Sequence, residues 1–199
     1  MYTACKEGHI NVVQTLIRHS ADINKSKNDG TSPLQIACYM NHEDIVKELL
    51  LRKDIRINQF NEDGRTSLYT ACKEGHINVV QTLIRHSADI NKSKNDGTSP
   101  LQIACYMNHE DIVKELLLIK EININQLDAD GRTSLYVACQ EGHLKVLQIL
   151  IRNSADINKS TKNGTSPLEI ASLNGHTMIF QELKHHLKDM NKSKRERSF

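Results

Sequence analysis

Residues Tyr2 to Leu51 recur without a change as Tyr69 to Leu118, an offset of 67 residues. No other feature constrains the fold as much, because a sequence that copies itself makes a surface that copies itself. Self-similarity at a fixed period is the mark of stacked repeats, and it settles the architecture before any local assignment does. The glycines divide the period in two. Five of the nine, Gly30, Gly64, Gly97, Gly131 and Gly164, are spaced 34, 33, 34 and 33 apart, in turn contexts such as NDG and ADG. The other four, Gly8, Gly75, Gly142 and Gly175, each precede a histidine. All three prolines, Pro33, Pro100 and Pro167, sit in the string G-T-S-P-L.

One unit, Asp63 to Asn91, reads DGRTSLYTACKEGHINVVQTLIRHSADIN. It opens on a turn in which glycine supplies a backbone angle that other residues resist. Thr66 then offers a side-chain oxygen to the free N–H groups of a helix start. In alternate units the same place reads S-P-L-Q. There Ser32 and Gln35 have capping-box spacing, and Pro33 stands at the first helical position, where its missing N–H costs least. Leu68, Ala71 and Cys72 form a short apolar stripe at helical spacing, and Gly75 ends that helix. The pattern predicts a second helix from about His76 to Arg85, burying Val79, Val80, Leu83 and Ile84. No single unit can bury its own apolar face, so stability is a sum of unit and interface contributions.

This unit resembles the ankyrin repeat. The strings that carry the likeness are G-x-T-S-L-Y-x-A-C-x-x-G-H and A-D-I-N, and they recur over nearly the whole chain. The resemblance implies an all-α fold, an ankyrin-repeat solenoid of stacked helix-turn-helix units joined by short hairpin-like turns. Six repeats are expected, at Met1–Asn24, Asn28–Asn58, Asn61–Asn91, Asn95–Asn125, Ala129–Asn158 and Lys162–Asn191, followed by a basic, disordered tail over 192–199. Two kinds of repeat alternate. One carries E-G-H and S-A-D-I-N; the other carries Y-M-N-H and an extra residue in KDIRIN or KEININ. The first repeat lacks the D-G-R-T-S turn, so the expectation is a fragment of a longer parent, with an uncapped edge open to self-association. Ser20, Ser87 and Ser154 stand where the family often has glycine after the second helix. If the backbone is left-handed there, each serine costs on the order of 1 kcal/mol. Asn41 and Asn108 replace glycine after the first helix at lower cost, because asparagine tolerates that conformation.

Composition excludes several functions. The 26 basic and 24 acidic residues leave a net charge of +2 with the signs interspersed. That is no electrostatic footprint for nucleic acid or an anionic membrane. No apolar run approaches the ~18 residues of a membrane span. Cys5, Cys38, Cys72, Cys105 and Cys139 all fill one small helical position. Equivalent positions of stacked helices lie about 8–10 Å apart, beyond disulfide reach. Small buried thiols suit a reducing compartment, so the expected location is cytoplasmic or nuclear. The tail KHHLKDMNKSKRERSF could serve nuclear import, but Asp189 and Glu196 interrupt its basic run, and a solvated helix end is preferred.

Nothing breaks the period in a catalytic direction. Six of the ten histidines (His9, His42, His76, His109, His143 and His176) recur at the G-H or N-H position. They are expected to tie loops together. No Cys-x-x-Cys or His-Glu-x-x-His pattern appears, and His185-His186 reads as surface. The expectation is therefore no enzyme, no cofactor and no metal.

What remains is surface. In the family the turn tips and the first helix line a concave groove that grips partner proteins. By that resemblance the groove positions here are Lys6 and Glu7, Lys73 and Glu74, Gln140 and Glu141, then Tyr39 and Met40, Tyr106 and Met107, and Leu173 and Asn174. Tyrosine and methionine are enriched in interface cores, and only 4% of the chain is aromatic, so the two Tyr-Met pairs stand out. They imply two similar apolar anchor points for a protein partner of an intracellular adaptor or scaffold. A tyrosine that merely seals the groove against a neighbouring stem is the competing reading. Two further roles stay open. Asn24, Asn91 and Asn158 end strings resembling the site of the asparaginyl hydroxylase that modifies animal ankyrin repeats, which would make the chain an enzyme's substrate. A spacer without a dedicated partner is the other.

Overall fold

The computed structural model describes residues 1–196. Twelve helices form six antiparallel pairs, and no strand occurs among the described residues. The pairs are α1 (Tyr2–Lys6) with α2 (Ile10–Arg18), α3 (Pro33–Tyr39) with α4 (Glu43–Leu50), and α5 (Ser67–Glu74) with α6 (Ile77–Arg85). Then come α7 (Pro100–Tyr106) with α8 (Glu110–Leu117), α9 (Ser134–Glu141) with α10 (Leu144–Arg152), and α11 (Pro167–Leu173) with α12 (Thr177–Glu196). Odd-numbered helices pack in one row and even-numbered helices in a second row behind it. Helix α12 continues past residue 192, into the stretch read from sequence as a disordered tail; residues 197–199 lie outside the described residues.

The helices begin where capping chemistry places them. Ser32 and Ser99 accept from the backbone N–H of Gln35 and Gln102, whose side chains accept in return from the serine N–H. Thr66 and Thr133 accept from the N–H groups of Tyr69 and Tyr136, each at 3.1 Å. These bonds satisfy N–H groups that no helical carbonyl can reach. The helices of the front row end in left-handed residues, Gly75 at φ 79° and Asn41 at φ 58° among them. Ser20, Ser87 and Ser154 are left-handed too, at φ 57°, 62° and 64°, so the strain anticipated for them is present. Gly75 has a second reason to lack a side chain. A Cβ there would sit 2.6 Å from the ring of His109 in the next repeat.

The core lies between repeats. Leu34, Leu68, Leu101 and Leu135 fill one position of successive front-row helices, and all are buried. The five cysteines are free and buried. Burial raises each thiol's pKa, to about 11 for Cys5 and about 12 for Cys139.

Polar stitching runs along the stack as regularly as the core. At the turn tips, backbone N–H groups of Glu62, Asn95, Ala129 and Lys162 donate to carbonyls of Asp29, Asp63, Asp96 and Asp130, at 2.8–3.0 Å. Histidine Nε2 atoms at the starts of the second helices reach back one repeat. His42 meets the carbonyl of Lys6, His76 that of Tyr39, His109 that of Lys73, His143 that of Tyr106 and His176 that of Gln140, at 2.9–3.1 Å.

Candidate functional site

The groove positions lie at the C-terminal ends of the front-row helices, where helical periodicity turns the side chain away from the core. Tyr39 and Tyr106 are each 50% exposed, and Met40 and Met107 each 40%. Their surroundings are held firmly. The carbonyl of Tyr39 is bonded by His76 and that of Tyr106 by His143, so the next repeat fixes the backbone that aims each ring. Leu173 occupies the corresponding position in the last pair and is 76% exposed. It extends the apolar row without the phenol.

The polar groove positions are engaged close to home. Lys73 Nζ lies 3.4 Å from Glu74 Oε1, and Lys6 Nζ lies 3.6 Å from Glu7 Oε1. Gln140 Nε2 donates to Glu141 Oε1 at 2.8 Å. Turn-tip charges pair likewise, Lys94 with Asp96 at 2.7 Å and Arg65 with Asp63 at 3.3 Å. The charged groove positions of the first and third repeats are therefore paired off, while Glu141 and the sharing of Arg132 between Asp128 and Asp130 leave surplus carboxylate around the fifth.

Around Tyr106 the groove deepens into a cavity of about 200 Å³. Tyr69, Ile103, Tyr106 and Val137 supply its apolar surfaces; Lys94 and Arg132 from the turn tips, with Gln140, supply polar ones. Tyr69 is buried. Desolvation raises its phenol to about 12 despite the lowering influence of Arg65, so it stays a neutral hydroxyl. Asp128 is buried as well. It accepts from the backbone N–H groups of Asp130 and Arg132 and takes the Arg132 Nε at 2.7 Å. The sequence reading singled out Tyr106 and Gln140 and missed Tyr69, Ile103 and Val137. Those three sit one helical turn below the groove positions, and the apolar periodicity of the front helix alone assigns them to core filler.

The three asparagines have a second occupation. Asn24 Nδ2 donates to the Asp54 carbonyl at 2.8 Å, and its Oδ1 accepts from the Arg56 N–H at 2.8 Å. Asn91 repeats this with Glu121 and Asn123 at 2.7 and 2.9 Å. Both amide ends thus staple one hairpin to the next. Asn158 is exposed, and its backbone N–H bonds Asp156.

Among the described residues, His185, His186 and Asp189 on α12 bring three ligand-type atoms within 4.8 Å of one another. Two of these atoms, His185 Nδ1 and Asp189 Oδ2, lie 3.1 Å apart, as an exposed pair one helical turn long. No described helix is long and apolar enough to cross a membrane.

Comparison with known proteins agrees with this architecture. The family described as ankyrin repeats (3 copies) matches over residues 1–61, 49–128 and 115–194. No curated protein sequence matches the chain.

Proposed function

The chain belongs to the ankyrin repeat family, and on that premise we propose that it is a binding module that holds a partner polypeptide along the groove, serving as an adaptor or scaffold. Ankyrin repeats are in general protein–protein interaction modules rather than catalysts. Tyr39, Met40, Tyr106 and Met107 supply the contact area, and Lys73, Glu74, Gln140 and Glu141 form the rim between them. The observation that carries this reading is the pair of half-exposed Tyr-Met sites on backbone pinned by the histidine of the following repeat. Rigid aromatic area that needs little further ordering is what interface hot spots are made of.

The test compares two double variants on one captured partner. Tyr39→Ala with Tyr106→Ala removes both rings, and each ring truncated costs about 1–2 kcal/mol of binding if it is a hot spot. Lys73→Ala with Glu74→Ala removes an exposed ion pair worth under about 1 kcal/mol. Circular dichroism and a thermal melt establish that all chains are folded. A larger loss from the charged pair means that the groove is read by charge and that the tyrosine assignment is wrong.

A further inference from the structure

Tyr39 and Tyr106 are equally exposed, yet their surroundings differ. The segments that follow the two identical copies diverge at several turn-tip and front-helix positions, and three of these bear on the cavity. Val137 stands where the earlier repeat has Thr70, Gln140 where it has Lys73, and Asp128 where it has Asn61. All three later residues line the cavity beside Tyr106.

Each difference changes the chemistry in the same direction. Val137 presents two methyl groups to the cavity. Thr70 in its place presents a hydroxyl, which is committed to the Thr66 carbonyl at 2.9 Å. Gln140 is uncharged and bonded to Glu141, whereas Lys73 places an ammonium there, paired with Glu74 at 3.4 Å. Asp128 satisfies Arg132 Nε at 2.7 Å. Asn61 has no carboxylate to offer, and the corresponding Arg65 Nε is buried without a hydrogen-bond partner. The site beside Tyr106 is thus the apolar one with its cations neutralised: Lys94 by Asp96 at 2.7 Å, and Arg132 by Asp128 at 2.7 Å and Asp130 at 3.1 Å.

We propose that the cavity beside Tyr106, and not its counterpart beside Tyr39, is the anchor site of the groove, and that it takes one uncharged aromatic side chain of the partner polypeptide. This rests on the groove-binding reading above and narrows it to one site and one class of residue. Volume supports the choice. A cavity of roughly 150 Å³ suffices for benzene in a protein interior, so about 200 Å³ admits a ring. A drug-sized ligand needs roughly 300 Å³ or more. Chemistry selects among side chains. An incoming carboxylate meets Asp96, Asp128 and Asp130 against only Lys94 and Arg132. An incoming ammonium finds Asp96 and Asp128 already held by Lys94 and Arg132, and the surplus carboxylate of the three, Asp130, is 71% exposed and screened by water. An aromatic ring covers Ile103 and Val137, stacks on Tyr106 and lays its electron-rich face towards the Lys94 and Arg132 head groups, which an aliphatic side chain cannot do.

The experiment uses methyl and amide NMR of the full chain, titrated with four capped amino acids: N-acetyl-phenylalanine amide and its leucine, lysine and glutamate counterparts. Fragments this small bind in the millimolar range at best, and chemical shifts follow such binding residue by residue. The phenylalanine probe is expected to shift Ile103, Val137 and Gln140 with an affinity at least about tenfold above that at Ile36, Thr70 and Lys73, and above that of the other three probes. Val137→Thr with Gln140→Lys transplants the earlier repeat's residues and should remove the tight site. The new hydroxyl has the Thr133 carbonyl as its acceptor, just as Thr70 uses Thr66, so folding is kept. Asn61→Asp with Thr70→Val and Lys73→Gln should create a second site beside Tyr39. Equal binding at the two tyrosines overturns the inference while leaving the groove reading intact. Stronger binding of the lysine or glutamate probe overturns the assigned chemistry. Shifts confined to exposed residues away from the groove, such as Leu51 and Leu118, overturn both readings.

Discussion

Val12 and Val79 occupy the same place in two stretches of identical sequence, 2–51 and 69–118. Val12 is 48% exposed and Val79 fully buried. The same holds for Leu16 beside Leu83, Thr15 beside Thr82 and Tyr2 beside Tyr69: the later member is buried and the earlier one is not. From Asn28 onward the two copies agree in burial almost residue by residue, with Leu50 and Leu117 a departure. The difference lies in what covers each first pair of helices. Helices α3 and α4 pack against α5 and α6, while no described residue lies on the corresponding side of α1 and α2. Val13, one residue on, is buried in the first repeat too; it is the face carrying Val12, Thr15 and Leu16 that becomes core only by virtue of a repeat before it. The energy belongs to interfaces, as the nearest-neighbour picture of repeat arrays requires.

The strongest way to break that comparison is to cut the same side chain from each copy. Leu83→Ala removes a fully buried side chain and is expected to cost about 2–5 kcal/mol. Leu16→Ala, at a position only partly buried, should cost less than half as much, about 1 kcal/mol. Urea unfolding measures both, with hydrogen exchange locating the change, because arrays can unfold in parts. Equal costs would mean that burial is fixed within a repeat, and the nearest-neighbour account would fail.

The legibility of the sequence follows the same division. Backbone features set inside one unit could be read from it: the capping box of Ser32 and Gln35, the left-handed Gly75, the left-handed Ser20. Relations across units were legible only as periodicity. The recurring histidines read as ties between loops, but their acceptors, carbonyls about one repeat upstream such as that of Tyr39 for His76, carry no residue signature. Asn24 and Asn91 drew notice for a motif, whereas their amides span two hairpins, bonding backbone that any residue could supply. The exposure of Tyr39 and Tyr106 was legible because both fall outside the apolar stripe. The cavity was not, since it needs Val137 from one repeat, Lys94 from another and Tyr69 from a third.

A second contrast sharpens the comparison through reactivity. Cys5 and Cys72 are the same residue of the two copies, and both thiols are raised by burial, Cys5 to about 11 and Cys72 further. Reaction with a thiol reagent needs the thiolate and an opening of the fold around it. Helix α1 spans five residues, and its N-cap, Met1, makes no side-chain cap bond, whereas α5 has the Thr66 cap. Both differences favour Cys5. Mass-spectrometric labelling at neutral pH is expected to modify Cys5 at least about tenfold faster than Cys72, a gap of about 1.4 kcal/mol. Comparable rates would show that opening is shared along the array.

The smallest contrast is electrostatic and falls on Asp29 and Asp96. Lys27 lies 3.9 Å from Asp29, and Lys94 lies 2.7 Å from Asp96. The Lys94 side chain is also the less exposed, at 23% against 59%, and it lines the cavity together with Tyr69. Burial pushes the Asp96 carboxyl up, but the hydrogen bonds from Lys94 and Thr98 and the Lys94 charge outweigh it and bring the group down to about 2, from an ordinary 3.8. Asp29 is lowered too, chiefly by the Thr31 backbone N–H. A carboxyl depressed in the folded state stabilises the fold above its unfolded value and loses that contribution as pH falls towards the folded one. Asp96→Asn should therefore destabilise the chain at pH 7 by under about 1 kcal/mol, since the pair is half open to solvent. The gap between wild type and variant should stay level down to about pH 5, shrink between about pH 4 and 2, and close below that. Asp29→Asn should follow the same course with a smaller amplitude. Chemical denaturation at stepped pH reads both. If the two variants trace one curve, the preceding repeat tightens the packing of the second copy without tuning its charges, and the contrast between the copies is one of apolar burial alone.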